Sequence, residues 1–142
     1  MSLSAARHKA RVRALQACYQ QQFNPQRPEA VIAQFEAGQD MRGADLAYFR
    51  ELVEQVFLGE GELDALYAPF LDLPPARLDP TERAILRLAS YELRSRLDVP
   101  RAVIIDEAVR LARKFGATDS HKFVNGVLDR LADRLRAVEK RR

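Results

Sequence analysis

Residues 79–93 read DPTERAILRLASYEL and supply a full set of helix signals. Asp79 carries a short carboxylate able to accept from the first free amides, so it reads as the N-cap. Pro80 suits the first helical position, where its missing N–H is not needed and its fixed φ is already correct. Glu82 stands at the reciprocal position of a capping box. Behind this start Ile85, Leu86, Leu88, Ala89 and Leu93 recur at the period of one helix face. The stretch predicts a helix burying one stripe, and the same spacing recurs along most of the chain.

Toward the C-terminus, Pro100 opens a sixth helix with Val103, Ile104, Ala108, Leu111, Ala112 and Phe115 facing inward and Gly116 as its C-terminal cap. Asp119-Ser120 starts a seventh, striped by Phe123, Val124, Val127, Leu128, Leu131 and Leu135. Its Asn125-Gly126 pair would suit a hairpin, but the helical period continues on both sides. A glycine there costs about 1 kcal/mol against alanine, which predicts a close helix contact. The tail, Glu139 to Arg142, reads as frayed.

Toward the N-terminus, four more helices are predicted. They run from about Ser4 to Gln22, from Pro28 to Gly38, from near Ala44 with Leu46, Phe49, Val53, Val56 and Phe57, and through Leu63, Leu66, Tyr67 and Phe70. Gly59 and Gly61 punctuate the last two. Pro74-Pro75 forces an extended break and is the expected lobe boundary, with an N-terminal lobe over about 1–73 and a C-terminal lobe over about 76–139. No alternating strand pattern appears. The expectation is an all-α protein of about seven helices in two packed bundles, residues 1–142 forming a single domain.

The net charge of +3 hides a segregation. Residues 1–28 hold five Lys/Arg and no acid. Residues 29–72 hold ten acids against two bases, and residues 73–142 hold sixteen bases against ten acids. The basic blocks suit a polyanion and the acidic block suits a basic partner or a solvated face. Cys18, the only cysteine, excludes an internal disulfide and reads as a small buried hydrophobe near Leu15 and Phe23. No apolar run approaches the roughly 20 residues of a membrane span, so no membrane role and a cytoplasmic location are expected.

Catalytic groupings are missing. His8 and His121 are far apart, without further ligands at metal spacing, and Asp106-Glu107 point about 100° apart on a helix. A protein without enzymatic activity, metal or cofactor is expected. Two elements suit nucleic acid instead. Arg7, Lys9, Arg11 and Arg13, with His8 among them, crowd the opening of the first helix, where the dipole disfavours cations. Arg7 and Arg11 share one face, and Lys9 and Arg13 share another. Cations on several sides predict that these turns project into solvent, either to meet an anion or merely to solubilise the end. In the second element, Lys114, Phe115, Asp119, His121, Lys122 and Phe123 interleave cations and rings beside a helix start. That mixture suits unpaired RNA, whose bases stack while its phosphates are neutralised. The alternative is that Phe115 and Phe123 belong to the core.

VPRAVIIDEAVRLARKFG from Val99 to Gly116, followed by DSHKFVNGVLDRLA from Asp119 to Ala132, resembles the NusB family of bacterial transcription antitermination factors. ERAILRLASYEL (Glu82 to Leu93), ALQACYQ (Ala14 to Gln20) and AYFRELV (Ala47 to Val53) are similar to that family as well. The resemblance implies two perpendicular helical bundles that bind boxA, a single-stranded RNA element of ribosomal RNA leaders, together with ribosomal protein NusE. It further implies assembly with NusA, NusG and RNA polymerase, and it leaves monomer and homodimer both open. By position it implies RNA contacts from Arg7, His8, Lys9, Arg11, Gln16, Phe115, Asp119, Lys122 and Phe123, and NusE contacts from Tyr19 and Glu82. His8 departs from the arginine often found there in the family, and Lys9 stands ready to compensate. Two other readings remain: the NusB-like domain of a ribosomal RNA cytosine methyltransferase, and a helical DNA-binding regulator with an exposed recognition helix.

Overall fold

The structure, a computed structural model, describes residues 2–140, and every regular element among them is helical. Seven helices match the expected set: α1 (Leu3–Gln21), α2 (Pro28–Gly38), α3 (Leu46–Leu58), α4 (Glu60–Tyr67), α5 (Pro80–Ser95), α6 (Arg101–Phe115) and α7 (Ser120–Leu135). A one-turn α8 (Ala137–Lys140) follows, and short 3-10 turns fill Ala68–Phe70 and Pro75–Arg77. No helix among the described residues is long and apolar enough to cross a membrane.

The chain divides into two compact units, residues 1–59 and 60–142. The expected boundary at Pro74-Pro75 is therefore corrected to Gly59. Pro74 does adopt the extended backbone proline dictates, but the break it makes lies inside the second unit. The reason is a set of charges on α4. Arg87 of α5 clasps Asp64 with Nε and Nη2, both at 2.9 Å, and donates from Nη1 to Glu60 at 2.6 Å. Arg83 and the Tyr67 hydroxyl donate to the same Asp64 at 2.8 and 2.6 Å. Burial pushes the Asp64 carboxyl up, but the hydrogen bonds from Arg87, Tyr67 and Arg83 outweigh it and hold it below the ordinary value. Burial raises the carboxyl of Glu60, which accepts only from Arg87 Nη1 among the hydrogen bonds of this cluster. Leu63 and Tyr67 add an apolar stripe with no exposed surface.

In the first unit α1 and α2 both pack on α3. Small residues on α1 (Ala10, Ala14, Ala17 and Cys18) permit close approach, and Phe35 of α2 meets Phe49 of α3 at 5.8 Å between ring centroids. Cys18 is buried as expected. In the second unit α4, α6 and α7 all pack on α5. Every residue of α5 from Ala84 to Leu93 is buried, Arg87 and Glu92 included, so the single stripe expected from sequence becomes a helix covered all round.

Arg136 closes the far end of this unit. It is buried just past α7, and donates to the carbonyls of Glu92, Leu93, Arg96 and Val99 and to the Glu139 carboxylate. It thereby supplies donors to the Leu93 and Glu92 carbonyls in the last turn of α5, the second of which also accepts from the Arg96 amide, and to the Arg96 and Val99 carbonyls just beyond it. Glu139 in turn accepts from the Arg101 amide at 2.8 Å and caps α6. The frayed tail expected from sequence is thus corrected at Glu139; Arg141 and Arg142 lie outside the described residues.

Gly126 is also corrected. A methyl group there would meet nothing within 4 Å, so no helix contact requires the glycine.

Candidate nucleic-acid interface

The first unit carries the N-terminal basic residues. Ser2 caps α1 by accepting from the Ala5 amide, and the cations follow within the next turns. The sharing of faces holds. The Arg7 and Arg11 guanidiniums lie 4.5 and 5.4 Å from the centroid of the Tyr48 ring. Lys9 and Arg13 both reach the loop between α2 and α3. Lys9 Nζ donates to the Arg42 carbonyl and stands 3.7 Å from the Asp40 carboxylate, while Arg13 Nε donates to the Asp40 carbonyl at 3.1 Å. The Asp45 amide donates to the Ala6 carbonyl at 3.0 Å and pins this loop to α1.

The expected projection into solvent is corrected. Arg11 is 3% exposed, which withdraws it from any direct contact with a strand. Arg7 is mostly covered and lies 3.7 Å from Asp45. Local sequence could not show this, because the ring and the carboxylates arrive from α3 and the preceding loop. Tyr48 offers the π-face that favours a guanidinium. Asp45 serves twice, since its Oδ1 also caps α3 at the Tyr48 amide. His8 is half-buried, and half-buried Gln16 accepts from Arg13 at 2.9 Å.

At the end of α1, Tyr19 and Phe23, the latter two residues past the helix, form an exposed aromatic pair, 43% and 64% accessible with centroids 5.1 Å apart. Sequence reading assigned Phe23 to the surroundings of buried Cys18. The spacing of four from Tyr19 was the signal for a shared outer face.

The second unit carries the junction of α6 and α7. Phe115, expected to face inward, is exposed, and so is Val103. Leu111 and Ala112 fill the inner face of α6, leaving its last ring outside with the Lys114 ammonium 5.4 Å from the centroid. Gly116 does end α6, but with extended rather than left-handed backbone. Its glycine identity has a steric cause: a Cβ would stand 2.7 Å from the Ala112 carbonyl oxygen and 2.8 Å from Ser120 Cβ.

Ser120 is the hub of the junction. Its hydroxyl accepts from the Ala117 amide at 3.1 Å and donates to Glu82 Oε2 at 2.7 Å. Glu82, expected in a reciprocal capping box, therefore ties the start of α7 to α5, while Asp79 caps α5 as expected through the amides of Thr81 and Glu82. Asp119 makes no capping bond with its side chain. It is exposed and 3.6 Å from Lys122, which is exposed as well. Phe123 is half-buried. The junction thus presents an open ring, a half-covered ring and two lysines on a braced turn. Among the described residues no group of three or more His, Cys, Asp or Glu is placed to hold a metal.

The helix order, the two units and the braced junction define an all-α protein of the two-unit helical type. Comparison with known proteins narrows this class. The sequence profile of the NusB family matches residues 8–133. The transcription antitermination protein NusB of Teredinibacter turnerae is 50% identical over 137 residues, 96% of this chain and 93% of that protein. The protein of the same name from Marinobacter nauticus is 45% identical over 135 residues, covering 95% and 85%. The solved structure of T. maritima NusB superposes with a TM-score of 0.82 at 28% identity, covering 96% of this chain and 97% of that one. The chain belongs to the NusB family, whose members act as transcription antitermination factors rather than as enzymes.

Proposed function

We propose that the chain acts in transcription antitermination by binding the single-stranded boxA RNA of ribosomal RNA leaders together with ribosomal protein NusE. The observation that carries this reading is the α6–α7 junction, where exposed Phe115 has the Lys114 ammonium 5.4 Å from its ring centroid before a turn fixed by Gly116 and Ser120, and exposed Lys122 follows in the first turn of α7. An exposed ring on a rigid turn receives an unpaired base, and each such stack contributes about 1–3 kcal/mol. Lysines on either side neutralise the flanking phosphates. Phe123 offers a second ring edge, and Asp119 offers acceptors for base amino groups. In the first unit, Arg7 and Lys9 of α1 offer cations of their own and His8 and Gln16 offer polar contacts, with Arg11 acting from beneath as a buried support for the Tyr48 face.

For NusE, the exposed Tyr19–Phe23 pair is the apolar anchor that a protein interface places at its centre. Glu82 has a prior engagement with Ser120, so a basic residue of the partner would share its carboxylate. Assembly with NusA, NusG and RNA polymerase follows from the same role. The antitermination reading is supported over the methyltransferase-domain one by relatives named as antitermination proteins, 85% and 93% of whose length this chain covers.

The test is a fluorescence-anisotropy titration against a boxA-like RNA, a scrambled RNA and a duplex DNA of matching sequence, with and without NusE. Preference for the boxA-like strand, tightened by NusE, is expected. Preference for the duplex would favour a DNA-binding regulator, and absence of binding to any strand would refute the proposal.

A further inference from the structure

The loop at residues 39–45 carries groups that meet three cations of α1, Arg7, Lys9 and Arg13. Asp40 provides a carboxylate 3.7 Å from Lys9 Nζ and a carbonyl that accepts from Arg13 at 3.1 Å. Arg42 provides a carbonyl to Lys9, while its own guanidinium, 92% exposed, donates to Asp40 at 3.0 Å. The Asp40 carboxyl is accordingly held well below the usual range by Arg42 and, more weakly, Lys9, and stays charged at neutral pH. Gly43, at φ 80°, supplies the left-handed turn that folds the loop back onto α1. One carboxylate thus sits between a lysine on the helix and an arginine on the loop, with both cations turned toward it.

A phosphate approaching this face meets cations that already have a counter-ion. We propose that the 39–45 loop is an internal competitor for the RNA backbone: Asp40 occupies Lys9 and Arg42 in the free protein and yields both to phosphates when a strand binds. This rests on the RNA-binding reading above and adds Arg42 to the residues that contact the strand. The pairing is exposed, so it is weak enough to exchange and is screened by salt. It lowers affinity for short or poorly matched strands, which cannot offer phosphates to both cations at once.

The test uses full-length wild type, Asp40→Asn, Lys9→Gln and the double variant, each titrated with a boxA-like RNA across a salt series. Asparagine still accepts from the Arg42 amide, which now donates to Asp40 Oδ1 at 3.0 Å, so the loop keeps its shape; matching thermal unfolding of variant and wild type checks this. Asp40→Asn is expected to tighten binding about two- to fivefold at low salt, the effect fading as salt rises. The plot of log affinity against log salt should steepen slightly, because the internal pairing that opposes binding in wild type is itself weakened by salt. The gain should shrink in the Lys9→Gln background, because part of it passes through Lys9. An unchanged affinity, or an equal gain in both backgrounds, would overturn the competitor role while leaving RNA binding intact. Wild type failing to bind RNA at all would remove the functional proposal and this inference together.

Discussion

Replacing Gly116 by alanine isolates the geometry on which the candidate interface stands. The backbone at this position is extended, so alanine incurs no conformational penalty and the effect is steric alone. The new methyl would lie 2.8 Å from Ser120 Cβ, about 1 Å inside the ordinary carbon–carbon distance, and 2.7 Å from a backbone carbonyl oxygen. Neither neighbour is the free end of a long side chain. Ser120 is also held from both sides by Ala117 and Glu82. Relief therefore requires the start of α7 to move away from the end of α6. Overpacking of this kind costs about 1–3 kcal/mol, offset by roughly 0.5 kcal/mol from the lower entropy of the unfolded alanine chain. Urea unfolding should show a net loss of about 1–2 kcal/mol with an unchanged m value. RNA affinity, measured where the variant is fully folded, should fall as well. Gly126→Ala is the internal comparison. That position lies within α7 with open space around it, so alanine should stabilise by roughly 0.5–1 kcal/mol. A neutral or stabilising Gly116→Ala, or equal losses at the two glycines, would refute the reasoning.

Arg11→Gln should destabilise the fold by about 1–2 kcal/mol, through the lost ring contact and the packing of its stem, while leaving the salt slope of RNA binding unchanged. A slope shallower by about 0.7 would show instead that Arg11 touches phosphate. Asp64→Asn should cost about 3 kcal/mol at neutral pH, the lower end for breaking a buried ion pair, because the Asp64 side chain is 13% exposed. The folded-state pKa of Asp64 lies below its unfolded value near 3.8. Its contribution is therefore complete above that value and lost as pH falls through the folded one. Chemical unfolding of both proteins between neutral pH and pH 2 should show the gap closing only below about pH 4.

Local signals in the sequence were enough for the helices. Asp79 and Pro80 start α5 where their chemistry requires, and the stripes of α3, α5 and α7 lie largely inside. Long-range polar contacts were not legible. Nothing near Glu82 indicates that its carboxylate leaves the capping box for Ser120, 38 residues away. Nothing near Arg11 announces the Tyr48 ring. The unit boundary was missed for the same reason: Pro74-Pro75 is a strong local break, whereas α4 joins the second unit through charges that meet only after folding. Phe115 illustrates the limit of periodicity. It stands four residues after Leu111, but at the end of α6 little remains to cover it, and the ring stays outside. The residue types of the candidate site were legible and their exposure was not, with the α1 cations held more tightly and the junction ring more open than pattern alone suggested.

The most direct test of the central claim compares wild type and Phe115→Leu in binding to a boxA-like RNA over a range of salt. Leucine keeps an apolar side chain at the end of α6 but removes the flat face on which a base stacks. Affinity should drop by about 1–3 kcal/mol with no change in salt slope, since a stack and not a phosphate contact is lost. Equal affinity of the two proteins would contradict the placement of an RNA base at the α6–α7 junction.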